Sequence, residues 1–220
     1  MDCKKYFGFF DEEHPEPYVI KSGTLPIIIS APHTYRHFRE GRVKEAERGA
    51  GVIAMALGDM KSTHWMVKAR EDGDDPNYSA DSPYKKALAA YMTENGVRYL
   101  IDLHELAPSR PTDVNPLING GKNIKGNEDL YGEIKNVFIN GGFTVTEDFP
   151  YAGKTDNRVT AYVNRKTGLF SLQLELNSRL LYPGGEHCRL DDMLKAFGNI
   201  VGAIMRHDMK KDGRAVFFFY

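Results

Sequence analysis

Three short, largely apolar segments of this chain each lead to a side chain that can bind protons or metal ions. The segments, each with the residue that it delivers, are 25–31 with His33, 97–101 with His104, and 170–177 with Glu175. Apolar runs of this length are typical of strands buried on both faces, as in parallel sheets. Proteins built on such sheets place their chemistry at the carboxyl ends of the strands. The sequence therefore predicts that two histidines and a carboxylate converge, a combination that indicates a metal site.

Helical and extended patterns alternate along the chain. Residues 47–57 have helical apolar spacing with Gly58 expected to close the helix, and Ser82 and Pro83 begin a second helix. The other predicted elements are strands at 63–69, 143–146 and 215–220, a helix ending at 140–142, and a long helix from about 190 to 207. Residues 107–128 are expected to form a long functional loop. This rhythm predicts an α/β fold with a mostly parallel or mixed sheet and helices on both faces.

Composition limits the possible class of protein. The 220 residues suffice for one domain, 1–220, with a buried core, and a formal net charge of −1 lacks the basic excess of a nucleic-acid-binding protein. The amino terminus lacks the apolar run of a signal peptide, and no apolar segment reaches the roughly 20 residues that span a bilayer. Cys3 and Cys188 are the only thiols, and so few cysteines favour a reducing compartment, so we expect a cytoplasmic protein. One disulfide between these two cysteines stays open as an alternative.

Three motifs carry a family resemblance. Pro-His at 32–33, Asp-Leu-His at 102–104 and Gln-Leu-Glu-Leu-Asn at 173–177 together resemble the N-formylglutamate amidohydrolase family. That family is related in fold to the zinc carboxypeptidases and to aspartoacylase-like deacylases. The resemblance extends in order from about Leu25 to Arg179. It implies a zinc-carboxypeptidase-like architecture and a Zn²⁺ cofactor.

The resemblance also implies a ligand set. His33 and His104 match the two histidine ligands, and Glu47, which opens a helix start containing glycine, matches the third ligand. Glu47 lies fourteen positions after His33, in contrast to the short His-x-x-Glu spacing of carboxypeptidases. Glu40 and Glu45 therefore stay open as alternatives to Glu47.

Glu175 matches the catalytic glutamate of the family. Strand alternation places it on the face opposite Leu172, Leu174 and Leu176, so we expect it to project toward the site. There it acts as general base and then as general acid. Asp102 lies two residues before His104 and is the candidate for orienting an imidazole. If Glu105 had that role instead, Asp102 would only cap a strand end.

Substrates of the resembling families carry a carboxylate, which calls for an arginine. Arg70 is the first candidate, together with Asn77 in an Asp-x-Asn region, and Arg158 and Arg179 lie in segments that flank Glu175. Tyr162 is a candidate donor to a developing oxyanion. The other histidines are expected to have structural roles, with His37 the first exception.

Three functions agree with these residues. The leading hypothesis is a zinc-dependent hydrolase that cleaves the amide of a small N-acyl amino acid resembling N-formylglutamate. The second keeps the metal site but acts on a peptide or a poly-γ-glutamate chain. The third is a non-catalytic binding protein that uses residues 107–128 to contact a partner. We expect a small carboxylate-bearing substrate and neither nucleic acid nor membrane as partner, and the oligomeric state stays open.

Overall fold

Six strands form the central sheet of the computed structural model, which describes residues 3–147 and 156–213. In chain order, with β3 and β4 forming a separate hairpin, the strands are β1 (Tyr18–Lys21), β2 (Ile27–Ala31), β3 (His37–Arg39), β4 (Arg42–Lys44), β5 (His64–Lys68), β6 (Tyr99–Leu106), β7 (Val114–Leu117) and β8 (Phe170–Asn177). Across the sheet the order is β1-β5-β2-β6-β8-β7. The four inner strands run parallel and the two edge strands run antiparallel to their neighbours. The mostly parallel sheet expected from the sequence is confirmed.

Helices cover both faces of this sheet, as predicted. They are α1 (Lys4–Phe9), α2 (Arg48–Lys61), α3 (Pro83–Glu94), α4 (Glu128–Asn140), α5 (Val159–Thr167) and α6 (Leu190–Lys211). The larger core lies on the face covered by α2, α4 and α6, with α1 packed on α2. The smaller core lies on the opposite face, under α3 and α5.

The face with the smaller core changes from apolar to polar along the strands. Leu100 of β6 packs in the smaller core, and Asp102 and His104 follow on the same face because side chains alternate. In β8, Gln173 and Glu175 lie opposite the leucines of the larger core. The apolar packing therefore ends partway along the strands, and a polar cleft occupies the carboxyl half of this face.

Local signals explain where two helices begin and end. The side chain of Ser82 accepts a hydrogen bond from the Lys85 amide and Pro83 is the first helical residue, so the predicted start of α3 is confirmed. Gly58 does not end α2, which continues to Lys61. Its lack of a side chain serves packing instead, because a Cβ at this position would lie 2.3 Å from Cδ1 of Trp65.

Several predicted elements differ in the structure. The expected loop at 107–128 contains β7 and a 3₁₀ turn at Lys122–Ile124. The expected strand at 143–146 is reduced to an isolated bridge between Val145 and Val114, with backbone hydrogen bonds that join Thr144 and Thr146 to residues 113 and 114. Helices α5 and α1, strand β1 and the β3–β4 hairpin had no clear signal in the sequence.

The predicted strand at 215–220 lies outside the described residues. Among the helices that the structure describes, none combines the length and the apolar character needed to cross a bilayer.

The close approach of α2 to Trp65 gives a stability prediction. We expect Gly58→Ala to lower the free energy of unfolding by about 1–3 kcal/mol, because the added Cβ overlaps the indole ring. The matched control is Gly132→Ala in α4, where a Cβ meets nothing within 4 Å. That variant is expected to be neutral or more stable by up to about 1 kcal/mol. Trp65 is the only tryptophan, so its emission during urea unfolding measures both variants, and equal midpoints would contradict the prediction.

Candidate metal centre and active site

Two histidines and a glutamate from three elements meet beyond the carboxyl ends of the inner strands. His33 follows β2, His104 lies in β6, and Glu47 immediately precedes α2. The Nδ1 atoms of the two rings are 3.1 Å apart, and each lies 3.3 Å from a carboxylate oxygen of Glu47. The structure thus brings together the three residues that the family resemblance implies as metal ligands.

Carboxylates behind the two rings determine which nitrogen faces the centre. His33 Nε2 lies 3.0 Å from Asp75, and His104 Nε2 lies 2.8 Å from Asp102. Since a carboxylate accepts hydrogen bonds, each neutral ring carries its proton on Nε2 and presents a lone pair at Nδ1. Ligands at about 2.0–2.1 Å from Zn²⁺ occupy the corners of a tetrahedron with edges of about 3.3 Å, which matches the observed spacing. The residues present therefore fit zinc.

In the metal-free protein, the pKa values of His33, His104 and Glu47 are shifted by their close contacts with one another and with neighbouring carboxylates. Burial disfavours charge on His33 and His104, but the carboxylates of Glu47, Asp75 and Asp102 outweigh burial and raise the pKa of both imidazoles. Burial likewise opposes the charge of Glu47, yet the two histidines hold its pKa well below its usual range. Without a metal, protons on the rings supply the positive charge that this site requires.

A second group of possible ligands consists of His33, His37 and Asp75. Arg39 donates two hydrogen bonds to Asp75, of 2.7 and 3.1 Å, and so neutralises its carboxylate. The His37 ring stacks on the His33 ring at 4.1 Å, and burial, reinforced by the charge of His33, lowers the pKa of His37 to about 4. We therefore interpret this group as support for His33 and not as a second metal site.

Glu175 lies beside the histidine centre. The register of β6 and β8 pairs His104 with Glu175, so the two side chains are neighbours on one face. Gln173 donates a hydrogen bond of 2.7 Å to Glu175 Oε1. Burial raises the pKa of Glu175, and the charge of Glu47 adds to this effect. A carboxyl group with a raised pKa beside a candidate metal centre is suited to proton transfer.

Asn77 connects the centre to α5. Its Oδ1 accepts a hydrogen bond of 2.9 Å from the amide of Val159, and its Nδ2 lies 3.2 Å from Nε2 of His104. That nitrogen already donates to Asp102, so the Asn77 amide does not donate to it while it carries the proton. Lys68, whose ammonium contacts Asp72 and the carbonyl of Asp74, anchors the loop that carries Asp75 and Asn77.

A cleft of about 1530 Å³ opens above these residues. Its lining combines the centre with charged groups on both walls: His33, Glu47, His104 and Glu175 with Arg39, Lys44, Lys122, Arg158, Glu45 and Asp156. The cleft therefore offers positive charge close to the acidic and imidazole groups of the centre.

The structure does not bring every sequence candidate to this cleft. Arg70, which follows β5, is exposed and lines a separate depression with residues 12–14. Arg179 is bound to Asp113 and to backbone carbonyls of residues 108 and 110. Tyr162 packs against the smaller core, with the Lys85 ammonium 5.4 Å from its ring, and does not line the cleft.

The alternatives to Glu47 also lie apart from the two histidines. Glu40 occupies the turn of the hairpin at a φ of 53° and accepts a hydrogen bond from Tyr78. Glu45 lines the cleft but is exposed and pairs with Arg36. Among these three glutamates, Glu47 is the one that forms a ligand group with both histidines.

Sequence reasoning missed Asp75 and Arg39. The Asp75 side chain, at the end of an acidic cluster at 72–75, is buried between His33 and Arg39. The Asp75-Pro76-Asn77 motif could have pointed to Asp75, because Asn77, two residues later, was already a candidate for substrate binding. Arg39 lies in a short hairpin that returns over the site, and its sequence has no signal of that contact.

Comparisons with known proteins agree with this architecture. No family model and no curated protein matches the chain. Solved structures do match, among them a bacteriophage poly-gamma-glutamate hydrolase, with 16% identity, a TM-score of 0.55 and coverage of 90% of this chain and 92% of that chain. N-formylglutamate amidohydrolase from Ralstonia eutropha JMP134 matches with 15% identity, a TM-score of 0.53 and coverage of 86% and 96%.

A zinc-free apo structure of YNDL matches with 20% identity, a TM-score of 0.53 and coverage of 87% of this chain and 93% of that chain. At these identities the likeness establishes the fold. The chain has the zinc-carboxypeptidase-like fold shared by N-formylglutamate amidohydrolase, poly-gamma-glutamate hydrolase and related hydrolases, as the sequence motifs predicted.

The convergent lone pairs predict one zinc ion per chain with pH-dependent affinity. In the metal-free protein the protonated histidines stabilise the fold below about pH 6.5, the ordinary imidazole value, and this contribution is lost as pH rises through their raised pKa values. Protons therefore compete with zinc, and affinity falls as pH falls. Calorimetry in buffers of different ionisation enthalpy should detect proton release.

Two sets of variants test the assignment of the ligands. We expect Asp75→Asn and Asp102→Asn to weaken zinc binding by about 10- to 100-fold, because they loosen the orientation of the rings. His64→Gln is the matched control, since His64 contacts Tyr91 away from the centre. A His104→Ala protein that still binds one zinc ion with unchanged affinity would remove His104 from the ligand set.

Proposed function

We propose that this protein is a zinc-dependent hydrolase that cleaves the amide bond of a small N-acyl amino acid resembling N-formylglutamate. The observation that carries the proposal is the convergence of two imidazole lone pairs and the Glu47 carboxylate beside the half-buried Glu175. The fold shared with amide-bond hydrolases supports it. A cytoplasmic location is part of the proposal.

His33, Glu47 and His104 would hold the metal. When bound, zinc supplies Lewis-acid activation of a water molecule and of the scissile carbonyl. Glu175 takes a proton from the attacking water and delivers it to the leaving nitrogen. Gln173 binds one oxygen of Glu175 and leaves the other oxygen for this transfer. Asp75 and Asp102 hold the imidazole rings in the orientation that the reaction needs.

Arg158 is the proposed partner of the substrate carboxylate. It lines the cleft at the start of α5, whereas Arg70 and Arg179 do not line it. Arg39 also lines the cleft and donates two hydrogen bonds to Asp75, which holds that carboxylate beside His33. Asn77, which is bound to the amide of Val159, positions the segment that carries Arg158. A guanidinium here would bind the carboxylate through paired hydrogen bonds.

The size of the cleft favours a second candidate function on a chain substrate. Its volume of about 1530 Å³ exceeds the roughly 300–1,000 Å³ typical of sites for small molecules. A peptide or a poly-γ-glutamate chain would use this additional space, with the same metal and the same Glu175. Parallel assays on N-acyl amino acids and on γ-linked glutamate oligomers separate the two candidates.

Replacing the proton carrier tests the reaction itself. We expect Glu175→Gln to bind zinc as the unmodified protein does and to lose at least about 100-fold in kcat, because an amide cannot accept the proton. Zinc content by elemental analysis and turnover of N-formylglutamate are measured on the same sample. Full activity in this variant would contradict the role of Glu175, and bound zinc without hydrolysis of any amide by the unmodified protein would favour a binding protein.

A pair of arginine variants tests the substrate site. Arg158→Ala should raise KM for a carboxylate-bearing substrate at least about 10-fold, since an ion pair in a cleft contributes about 1.5–3 kcal/mol. Arg70→Ala is the matched control and should leave KM unchanged, because Arg70 does not line the cleft. A larger increase in KM for Arg70→Ala than for Arg158→Ala would show instead that Arg70 binds the substrate carboxylate.

A further inference from the structure

Helix α2 begins without a local side-chain cap. Glu47 occupies its N-cap position, but the Glu47 side chain makes no capping hydrogen bond, and the first turn contains no acidic residue. The first amides of a helix have no partners within the helix and need acceptors from elsewhere. Glu47 cannot supply one, because its carboxylate oxygens face His33 and His104.

Glu105 and Tyr182 supply these acceptors from other elements. The amide of Ala50 donates to Glu105 Oε1 at 3.1 Å, and the amide of Gly49 donates to the Tyr182 hydroxyl at 3.3 Å. That hydroxyl in turn lies 3.1 Å from both oxygens of Glu105 and donates to the carboxylate. Glu105 belongs to β6 and directly follows His104, so the cap of α2 and a histidine of the centre lie on one strand.

Gly49 allows this close approach. A Cβ at position 49 would lie 2.9 Å from Glu105 Oε1 and 2.8 Å from the Cβ of Leu181. Real Cβ atoms do not approach other atoms so closely, so a side chain here would displace the carboxylate from the helix amides. The glycine and the glutamate therefore form one packing unit at the start of α2.

The connection between β6 and α2 runs in both directions. The amide of Glu105 donates to Glu47 Oε2 at 3.1 Å, while the Glu105 side chain accepts a hydrogen bond from the amide of Ala50. The amide of Glu47 also donates to the carbonyl of His33 at 2.8 Å. These bonds fix the relative positions of the segments that carry His33, Glu47 and His104.

We propose that Glu105, with the Tyr182 hydroxyl, is a positioning residue that caps α2 from β6 and thereby leaves the Glu47 carboxylate available for the metal. The proposal rests on the proposed function for the identity of the metal. Glu105 does not contact the reacting atoms in this scheme. Its loss would leave the first amides of α2 without this acceptor, so the start of the helix and the adjoining Glu47 would lose their fixed position.

Zinc affinity tests the proposal without any assay of activity. We expect Glu105→Ala to weaken zinc binding about 10- to 100-fold, the range for losing a group that orients a ligand, measured by competition with a chromophoric chelator. Glu105→Gln keeps an acceptor for the Ala50 amide and should restore most of the affinity. Tyr182→Phe, which removes one hydroxyl and leaves the ring, should weaken binding less but in the same direction.

The matched control is Glu45→Ala, which removes another glutamate of the cleft, one that is exposed and pairs with Arg36. It should leave zinc affinity unchanged. Equal zinc affinity in Glu105→Ala and the unmodified protein would overturn the proposal, and so would equal weakening in Glu105→Ala and Glu45→Ala, since charge alone would then explain the effect. A fall in thermal stability without a change in zinc affinity would also overturn it.

A second measurement separates this proposal from the proposed function. In the metal-free protein, the amides of Gly49 and Ala50 should be protected from hydrogen exchange, and Glu105→Ala should remove that protection while Glu105→Gln retains most of it. If the unmodified protein binds no zinc, the proposed function fails, and this exchange pattern still tests the cap. Unchanged protection in Glu105→Ala would refute the cap whether or not zinc binds.

Discussion

Two hydrogen bonds between carboxylates and imidazoles are the contacts on which the site depends. Asp75 and Asp102 accept hydrogen bonds from Nε2 of His33 and of His104. The two Nδ1 atoms therefore face each other, 3.1 Å apart. Such proximity of acceptors is unfavourable without a positive charge between them. In the metal-free protein protons on the rings supply that charge, and the carboxylates of Glu47, Asp75 and Asp102 favour those protons by raising the pKa of both rings despite burial. The same contacts hold the rings in positions that a metal ion would require, so binding would need little further movement of His33 and His104.

The sheet supplies this arrangement through a change of polarity on a single face. The leucines of β8 continue the larger core along the whole strand, while the opposite face passes from Ser171 to Gln173 and Glu175. In β6 that face passes from Leu100 to Asp102 and His104. Helices α3 and α5 therefore cover only the part of the face where apolar side chains remain. The cleft exists because the strands continue beyond that cover, and their last side chains become the floor of the site.

The sequence predicted the candidate site residues that lie at strand ends. It did not predict those whose position depends on a loop or hairpin that folds back over the site. His33, His104 and Glu175 follow or lie in apolar runs, so their convergence was predictable from the parallel sheet alone. Glu47 needed the family resemblance, because nothing local distinguishes it from Glu40 or Glu45. The burial of Asp75 depends on the β3–β4 hairpin and on Lys68, contacts that no local pattern encodes. Helix α5 was missed because Val159, Thr160 and Val163 are β-branched residues, which weaken a helical signal.

The position of Glu175 argues for catalysis over binding alone. Glu175 is half-buried in the lining of the cleft, and taking a carboxylate out of water is costly unless a cation or several donors compensate. Within residues 3–147 and 156–213, Glu175 accepts a hydrogen bond from Gln173, and its raised pKa indicates that this compensation is incomplete. A protein that used the metal only to bind a partner would gain from a glutamine at this position, which would be neutral and equally large. A carboxylate that is costly to charge and lies next to a metal-ready pair of histidines is instead suited to accept a proton and to release it again.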